Sequence, residues 1–353
     1  MAGLIELRHA WAADIDADSC VTYEKNIPGA SSETVKNLDV RLALEALDTY
    51  EDIDGFAFGF PCNDFSLVGQ QKGLLGDFGG LYQAGVDVLR RKQPHWFVAE
   101  NVGGLRSANG GRAFEQILSD LQAVGYRVTP HLYRFEQYGV PQTRHRVILV
   151  GIHEDEPHEF KVPAPTHGPG TDSAFKSAGQ AISKPFAIDQ PITNHEKTRQ
   201  SARVVERLKL IDPGENAFNA KRMTDDLRLN VKGATLSHIY KRLEFDKPSY
   251  TVTGSGGGGT HVYHWSEHRA LTNRERARLQ TFPDDFTFFG SRESVRKQIG
   301  MAVPPLGAQV IFEALFKTLK GITYDHVEAN LLSVLEDSRK ISPSSVQNLY
   351  PAS

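Results

Sequence analysis

Between residues 8 and 150 short apolar runs alternate with amphipathic helical stretches, and that alternation restricts the fold more than any other feature of the chain. "LRHAWAADID" and "DGFAFGFP" are apolar runs that end in acidic or turn residues. "PHWFVAENV" and "HRVILVGI" carry the Val, Phe and Ile of strands buried on both faces. In "GGRAFEQILSDLQAVGY" the residues Phe114, Ile117, Leu118, Leu121 and Val124 recur at helical spacing, and Gly125 stands where a helix C-terminal glycine is favoured. The pattern predicts an α/β domain with a largely parallel sheet. In such sheets chemistry collects at the carboxyl ends of strands, and Asp14, Cys62 and Glu100 all follow strand ends.

The chain has 353 residues, more than one domain usually holds, so two domains are expected. A formal charge of −3 excludes a polycation, so any nucleic-acid partner must be held by a local basic face. Two cysteines, in no CxxC pair, predict a reducing compartment and no structural zinc. The N-terminal stretch lacks a signal-peptide core and no 18-residue apolar run occurs, so neither secretion nor a membrane span is expected and the cytoplasm is the predicted location. From about residue 155 the chain turns rich in Pro, Gly, Ser and His, as a linker or insertion would be. Residues 195–244 then carry eleven Lys and Arg against seven Asp and Glu, a local basic excess. A glycine-rich loop, two further helices ("LTNRERARLQTF" and "GAQVIFEALFKTLKGI") and a polar tail complete the chain.

Three elements carry chemistry. In "GFPCNDFS" a loop thiol, Cys62, follows Pro61 and is flanked by Asn63, Asp64 and Ser66. Free cysteines are most often small buried hydrophobes, which is the reading for Cys20, but a thiol in a polar loop can ionise and act as a nucleophile. In "FVAENV" the carboxylate of Glu100 ends an apolar strand, where burial favours its protonated form; a capping or ion-paired glutamate is the competing reading. In "YGVPQTRHRVILVG" alternation puts Arg144 and Arg146 on one side of a strand, either to anchor an oxygen or phosphate ligand or as a solvated edge pair.

"GFPCNDFS", "ENV" and "PQTRHR" occur in this order, about 38 and 41 residues apart, and together they resemble the cytosine-C5 DNA methyltransferases from Trp11 to Leu315. "RALTNRERARLQTFPDDF" and "QIGMAVPPLGAQVI" are similar to that family's ninth and tenth motifs. The resemblance implies an S-adenosylmethionine-dependent, Rossmann-like sheet with a smaller target-recognition domain. It divides the chain into a catalytic part (1–155), a recognition domain (156–264), a return to the catalytic domain (265–325) and a tail (326–353). It implies a covalent Cys62 adduct at carbon 6 of a flipped cytosine, a proton held near N3 by Glu100, and the base's O2 bound by Arg146, with Arg144 beside it. Cofactor contacts are implied at Asp14, Ile15, Asp39, Val40, Pro61, Leu81, Ala302 and Val303. DNA contacts are implied at Asn63, Ser66, Gln142, Lys241, Arg242, Thr251 and Gly256. The implied partners are S-adenosylmethionine, double-stranded DNA and a cognate restriction endonuclease, in the bacterial cytoplasm or nucleoid.

Two departures both touch the cofactor. The family's first motif, a strand followed by F-x-G-x-G-G, is missing, and residues 1–7 read as the end of the helix that follows it. That strand is central, so three explanations stand: a start assigned too late, a second polypeptide supplying the strand, or a defective remnant that binds DNA without catalysis. Met301 stands where relatives carry Asn, and a thioether cannot make that amide's hydrogen bonds. A cysteine hydrolase is a third function class, but no His lies in a motif that suggests a base.

Overall fold

The computed structural model describes residues 6–60, 81–105, 111–186, 191–229, 237–254, 256 and 259–332. The apolar runs become strands β1 (Ala12–Asp14), β2 (Val35–Asn37), β3 (Gly55–Gly59), β4 (Trp96–Val102), β5 (Tyr126–Arg134) and β6 (His145–His153). Four of them form one sheet in the order β3-β4-β6-β5. β3 and β4 are parallel, whereas β6 is antiparallel to both β4 and β5. The expected largely parallel sheet is therefore a mixed one. Residues 135–144 return the chain directly from β5 to β6, and a connection without a crossover helix makes neighbours antiparallel. β5 itself went unread because Pro130 and His131 interrupt its apolar pattern.

Period-two alternation sorts this sheet onto two cores. Phe97, Ala99, Val147 and Leu149 face helices α3 (Leu81–Lys92) and α4 (Arg112–Ala123), packing on Val86, Leu89, Phe114, Ile117 and Leu121. Trp96, Val98, Ile148 and Val150 face the opposite way, onto Ile311, Leu315 and Phe316 of the last long helix, residues Pro305–Leu319. Each of these side chains contributes about 1.5–3 kcal/mol on burial. Gly125 has φ +95°, the left-handed conformation that ends α4 at its predicted glycine.

β1 and β2 stand apart as a parallel two-stranded unit, joined by α1 (Ala17–Asn26) and followed by α2 (Val40–Glu45). Among the described residues, β1 pairs only with β2 and β3 only with β4. β3 is an uncharged "GFAFG", yet Ala57 and Gly59 are exposed. A seam therefore separates the β1–β2 unit from β3, the strand leading to Cys62, among the described residues. Trp11 spans one end of it, with ring centroids 5.4 Å from Tyr50 and 5.8 Å from Phe56. The other side of the β1–β2 unit is fastened to residues 287–297. There the Asn26 side chain bonds the Thr287 backbone in both directions, and Phe289 N–H donates to Thr22 Oγ1 at 3.0 Å.

The remaining elements are β7 (Val162–Pro163), α5 (Ala178–Ser183), α6 (Ala202–Lys209), α7 (Asn273–Leu279), α8 (Arg292–Met301), α9 (Pro305–Leu319) and β8 (His326–Val327). Capping boxes start α5 at Ser177 and α7 at Thr272. β7 pairs with β8, and Leu331 is buried in the α3–α4 core, so residues 326–332, read from the sequence as part of a polar tail, pack onto the folded body. Residues 292–319 have the length and composition to cross a membrane, but they form two helices broken at Ala302–Pro304, and α9 is a core helix.

Candidate active site

Glu100 lies near the end of β4, directly opposite Gly59 of β3. Its Oε2 is 3.6 Å from where a Cβ on Gly59 would sit, an ordinary van der Waals contact, so the carboxylate lies against the end of β3. The next residue, Asn101, is buried and donates from Nδ2 to Phe60 O at 3.1 Å, tying "ENV" to the last described residue before the cysteine loop. Arg146 reaches across from β6, with Nε 2.9 Å from Glu100 Oε1 and Nη1 donating to His145 O at 2.8 Å. Both side chains are largely buried, at 14% and 21% exposure. Burial pushes the Glu100 carboxyl above its ordinary range, and the Arg146 and Arg144 charges only partly offset this. A carboxyl that can keep a proton, aimed by an arginine, can donate to a ring nitrogen. Pro61, Cys62, Asn63 and Ser66 lie outside the described residues.

Three arginine and amide positions read as ligand contacts prove to be internal ties. Arg144 is fully buried: Nη1 donates to Val252 O at 3.1 Å and Nη2 to Gly300 O and Ala302 O, each at 2.9 Å. It joins β6, the recognition loop and the turn before α9, and so positions the site without facing a base. Gln142, also fully buried, donates to Leu279 O and Gln280 Oε1 and accepts from Val252 N, so it cannot touch DNA. Arg242 is buried with its guanidinium on the carbonyls of Leu208, Ile211, His264 and Trp265, which removes it as a phosphate contact. Sequence reasoning passed over Gln280, which completes this knot by donating to Ile299 O at 2.6 Å. Its signal was a polar residue inside the apolar run "LQTF". The other recognition residues lie nearer the surface: the Lys241 ammonium sits 5.1 Å over the Tyr250 ring, Thr251 donates to Thr143 O at 2.7 Å, and Gly256 O accepts from Arg296.

On the cofactor side, β1 ends at Asp14, which is exposed and accepts from Asp16 N–H at 2.8 Å. Asn37 Nδ2 holds the carbonyls of Asp14 and Ile15, and the buried Cys20 thiol donates to Asp14 O, a structural role as expected. Ile15 is 72% exposed and Met301 68%, so both offer apolar surface that a planar base could cover. They belong to one region: Lys297 ties α8 to Asp16 at 2.7 Å, and Met301 lies one turn further along the same helix face. Asp39 fits less well. Arg41 occupies both its oxygens, at 2.8 Å and 2.6 Å, and holds its carboxyl down to about 2. Val40 and Leu81 begin α2 and α3, half-buried, and Val303 packs against the α9 core. The acidic, apolar and open character of this surface suits S-adenosylmethionine, apart from the occupied Asp39. A cavity of about 640 Å³ lined by Lys176, Arg278 and Asp284 shares no residue with either region.

The mixed sheet thus carries a buried carboxyl–arginine pair at the end of β4, and the separate β1–β2 unit presents an exposed acidic strand end at Asp14. Residues 2–317 match the family described as C-5 cytosine-specific DNA methylase. The type II methyltransferase M.BbvI of Brevibacillus brevis is 52% identical over 331 residues, 92% of this chain and 86% of that protein. M.NgoFVII of Neisseria gonorrhoeae is 42% identical over 84% of this chain and 77% of its own length. Among solved structures, the S. pombe Dnmt2 methyltransferase superposes with a TM-score of 0.54 at 17% identity, covering 89% of this chain and 92% of that one. The chain belongs to the C-5 cytosine-specific DNA methylases. It is an enzyme of the DNA (cytosine-5-)-methyltransferase class, with S-adenosylmethionine as methyl donor.

Proposed function

We propose that the chain methylates cytosine within one short duplex sequence, as the modification half of a type II restriction–modification pair in the bacterial cytoplasm. Type II relatives at up to 52% identity support this reading, with a cognate endonuclease as the genetic partner. The observation that carries the chemistry is the buried Glu100–Arg146 pair at the β4 end, beside Gly59 and Phe60. Cys62 then adds through its sulfur to carbon 6 of a cytosine flipped from the stack. Glu100 supplies the proton at N3 that this addition needs, and Arg146 fixes the carboxyl and faces the O2 carbonyl. Sulfur addition leaves carbon 5 enamine-like. After alkylation, loss of the carbon-5 proton restores the ring double bond and expels the thiolate. S-adenosylmethionine, when bound, supplies an electrophilic methyl group, and Asp14, Ile15, Pro61, Leu81, Ala302 and Val303 would hold it.

In this reading residues 1–155 and 265–332 form the catalytic body and 156–264 read the target, with Asn63, Ser66, Lys241, Thr251 and Gly256 toward DNA. The open seam between β1 and β3 is, in this reading, where a strand carrying the family's first motif would pair. The test is transfer of labelled methyl from S-adenosylmethionine to unmethylated genomic DNA, using this chain, a version extended upstream in its reading frame, and Cys62→Ser in each. Transfer that requires Cys62 supports the reading. No transfer by either chain, to any unmethylated DNA, would overturn it.

A further inference from the structure

Beside Gly256 two enclosed arginines are poorly matched by carboxylates. Arg276 of α7 is 1% exposed, and its one hydrogen bond among the described residues is from Nη2 to His261 Nδ1 at 3.2 Å. Arg296 of α8 is nearly as enclosed, at 12% side-chain exposure; Nη2 donates to Gly256 O at 3.2 Å while its buried Nε has no partner. The nearest carboxylates do not neutralise them. Glu275 is committed to Arg269 through both oxygens, each at 2.7 Å. Glu293 is 74% exposed and 3.9 Å from Arg296 Nη1. Two enclosed guanidinium charges facing one distant, exposed carboxylate are costly, and the deficit points to an anionic ligand that arrives from outside.

The surroundings specify that ligand. Burial and the two arginine charges push His261 down to about 4, so it is neutral at physiological pH. Because Nδ1 accepts from Arg276, the ring proton sits on Nε2, which leaves a neutral N–H donor. A Cβ on Gly256 would fall 2.5 Å from Arg296 Nε, so with glycine there the backbone lies against the guanidinium without displacing it. Close backbone, a guanidinium and a neutral N–H donor suit a tetrahedral anion.

We propose that Arg296 and His261, with Arg276 behind them, seat one backbone phosphate of duplex DNA beside the glycine loop. This deepens the methyltransferase reading and rests on it for the identity of the anion. The phosphate fixes the register of the recognition loop on the duplex and reads no sequence.

The test is the salt dependence of duplex binding by the full chain. Arg296→Gln is expected to weaken target and unrelated duplexes alike and to reduce the slope of log affinity against log salt by about one. Arg296→Lys is expected to keep the slope. Arg276→Gln is expected to weaken DNA binding while leaving the free protein's melting temperature unchanged or raised, since it removes an unmatched buried charge. An unchanged slope in Arg296→Gln, with DNA binding intact, overturns the proposal. Methyl transfer by the unaltered enzyme is scored in parallel. Transfer with an unchanged slope sinks the phosphate seat alone, and DNA binding without transfer in any form sinks the methyltransferase reading while the slope still decides the seat.

Discussion

The two sides of the central sheet solve the same problem with different completeness. At β4 and β6 every inward residue from Phe97 to Ala99 and Val147 to Ile152 is buried, and the functional pair Glu100–Arg146 is clamped by neighbours on both strands. At β1 and β3 the strands lie half in solvent; Asp14 and Ile15, expected to hold the cofactor, are exposed, and so is Met301. The Glu100–Arg146 pair is therefore held in a packed core, whereas the seam between β1 and β3 is open among the described residues. An open, uncharged strand edge is also a liability for misassociation, so filling it should change stability as well as binding.

The largest effect expected is from closing that seam. A chain extended upstream should bind S-adenosylmethionine, melt at a higher temperature and transfer methyl groups where the 353-residue chain does so weakly. Calorimetric titration and melting curves of the two forms check this. Equal affinity and equal melting would mean that the seam is already functionally closed.

Next in size is Glu100→Gln, which should lower methyl transfer by about 10²–10⁴-fold with the fold retained. The carboxyl's range is raised by burial, so its folded-state value lies above the unfolded one. Its contribution to stability is fully present below the unfolded value and is lost as pH rises through the folded value. Activity that depends on the protonated form falls in the same upper window. A pH–rate profile that is flat across it would remove Glu100 as the proton source.

Arg144→Met sharpens the contrast in stability. It strands the carbonyls of Val252 and Gly300, leaves Ala302 O only its longer bond from Gln280, and should cost about 2–4 kcal/mol. Arg41→Ala, on the exposed cofactor side, should leave denaturant melting unchanged while freeing Asp39. If both substitutions behave alike, the division into a rigid and an open side is wrong.

Much of this was legible in the sequence because apolar periodicity reports burial directly: β4, β6, α4, α7 and α9 all lie under the runs that predicted them. Arginine roles were less legible for a physical reason. A guanidinium is satisfied equally by phosphate oxygens or by backbone carbonyls, and nothing local to "QTRHR" or "YKRLE" distinguishes the two. Arg144 and Arg242 therefore read as ligand contacts, and only long-range packing turns them inward. The direction of β6 was hidden likewise, since pairing depends on the short return from β5 and not on either strand's composition.

The smallest effect expected is at Met301. It is 68% exposed on the α8 face that carries Lys297 toward Asp16, so replacing it touches no core packing. Met301→Asn should leave melting within about 0.5 kcal/mol. A new amide hydrogen bond is worth about 0.5–1.5 kcal/mol, which predicts cofactor binding tighter by roughly two- to tenfold in the extended chain. Weaker binding would show that the thioether is used as an apolar contact, which would place Met301 with Ile15 as a wall of the base pocket. Unchanged binding would place it outside the cofactor's reach.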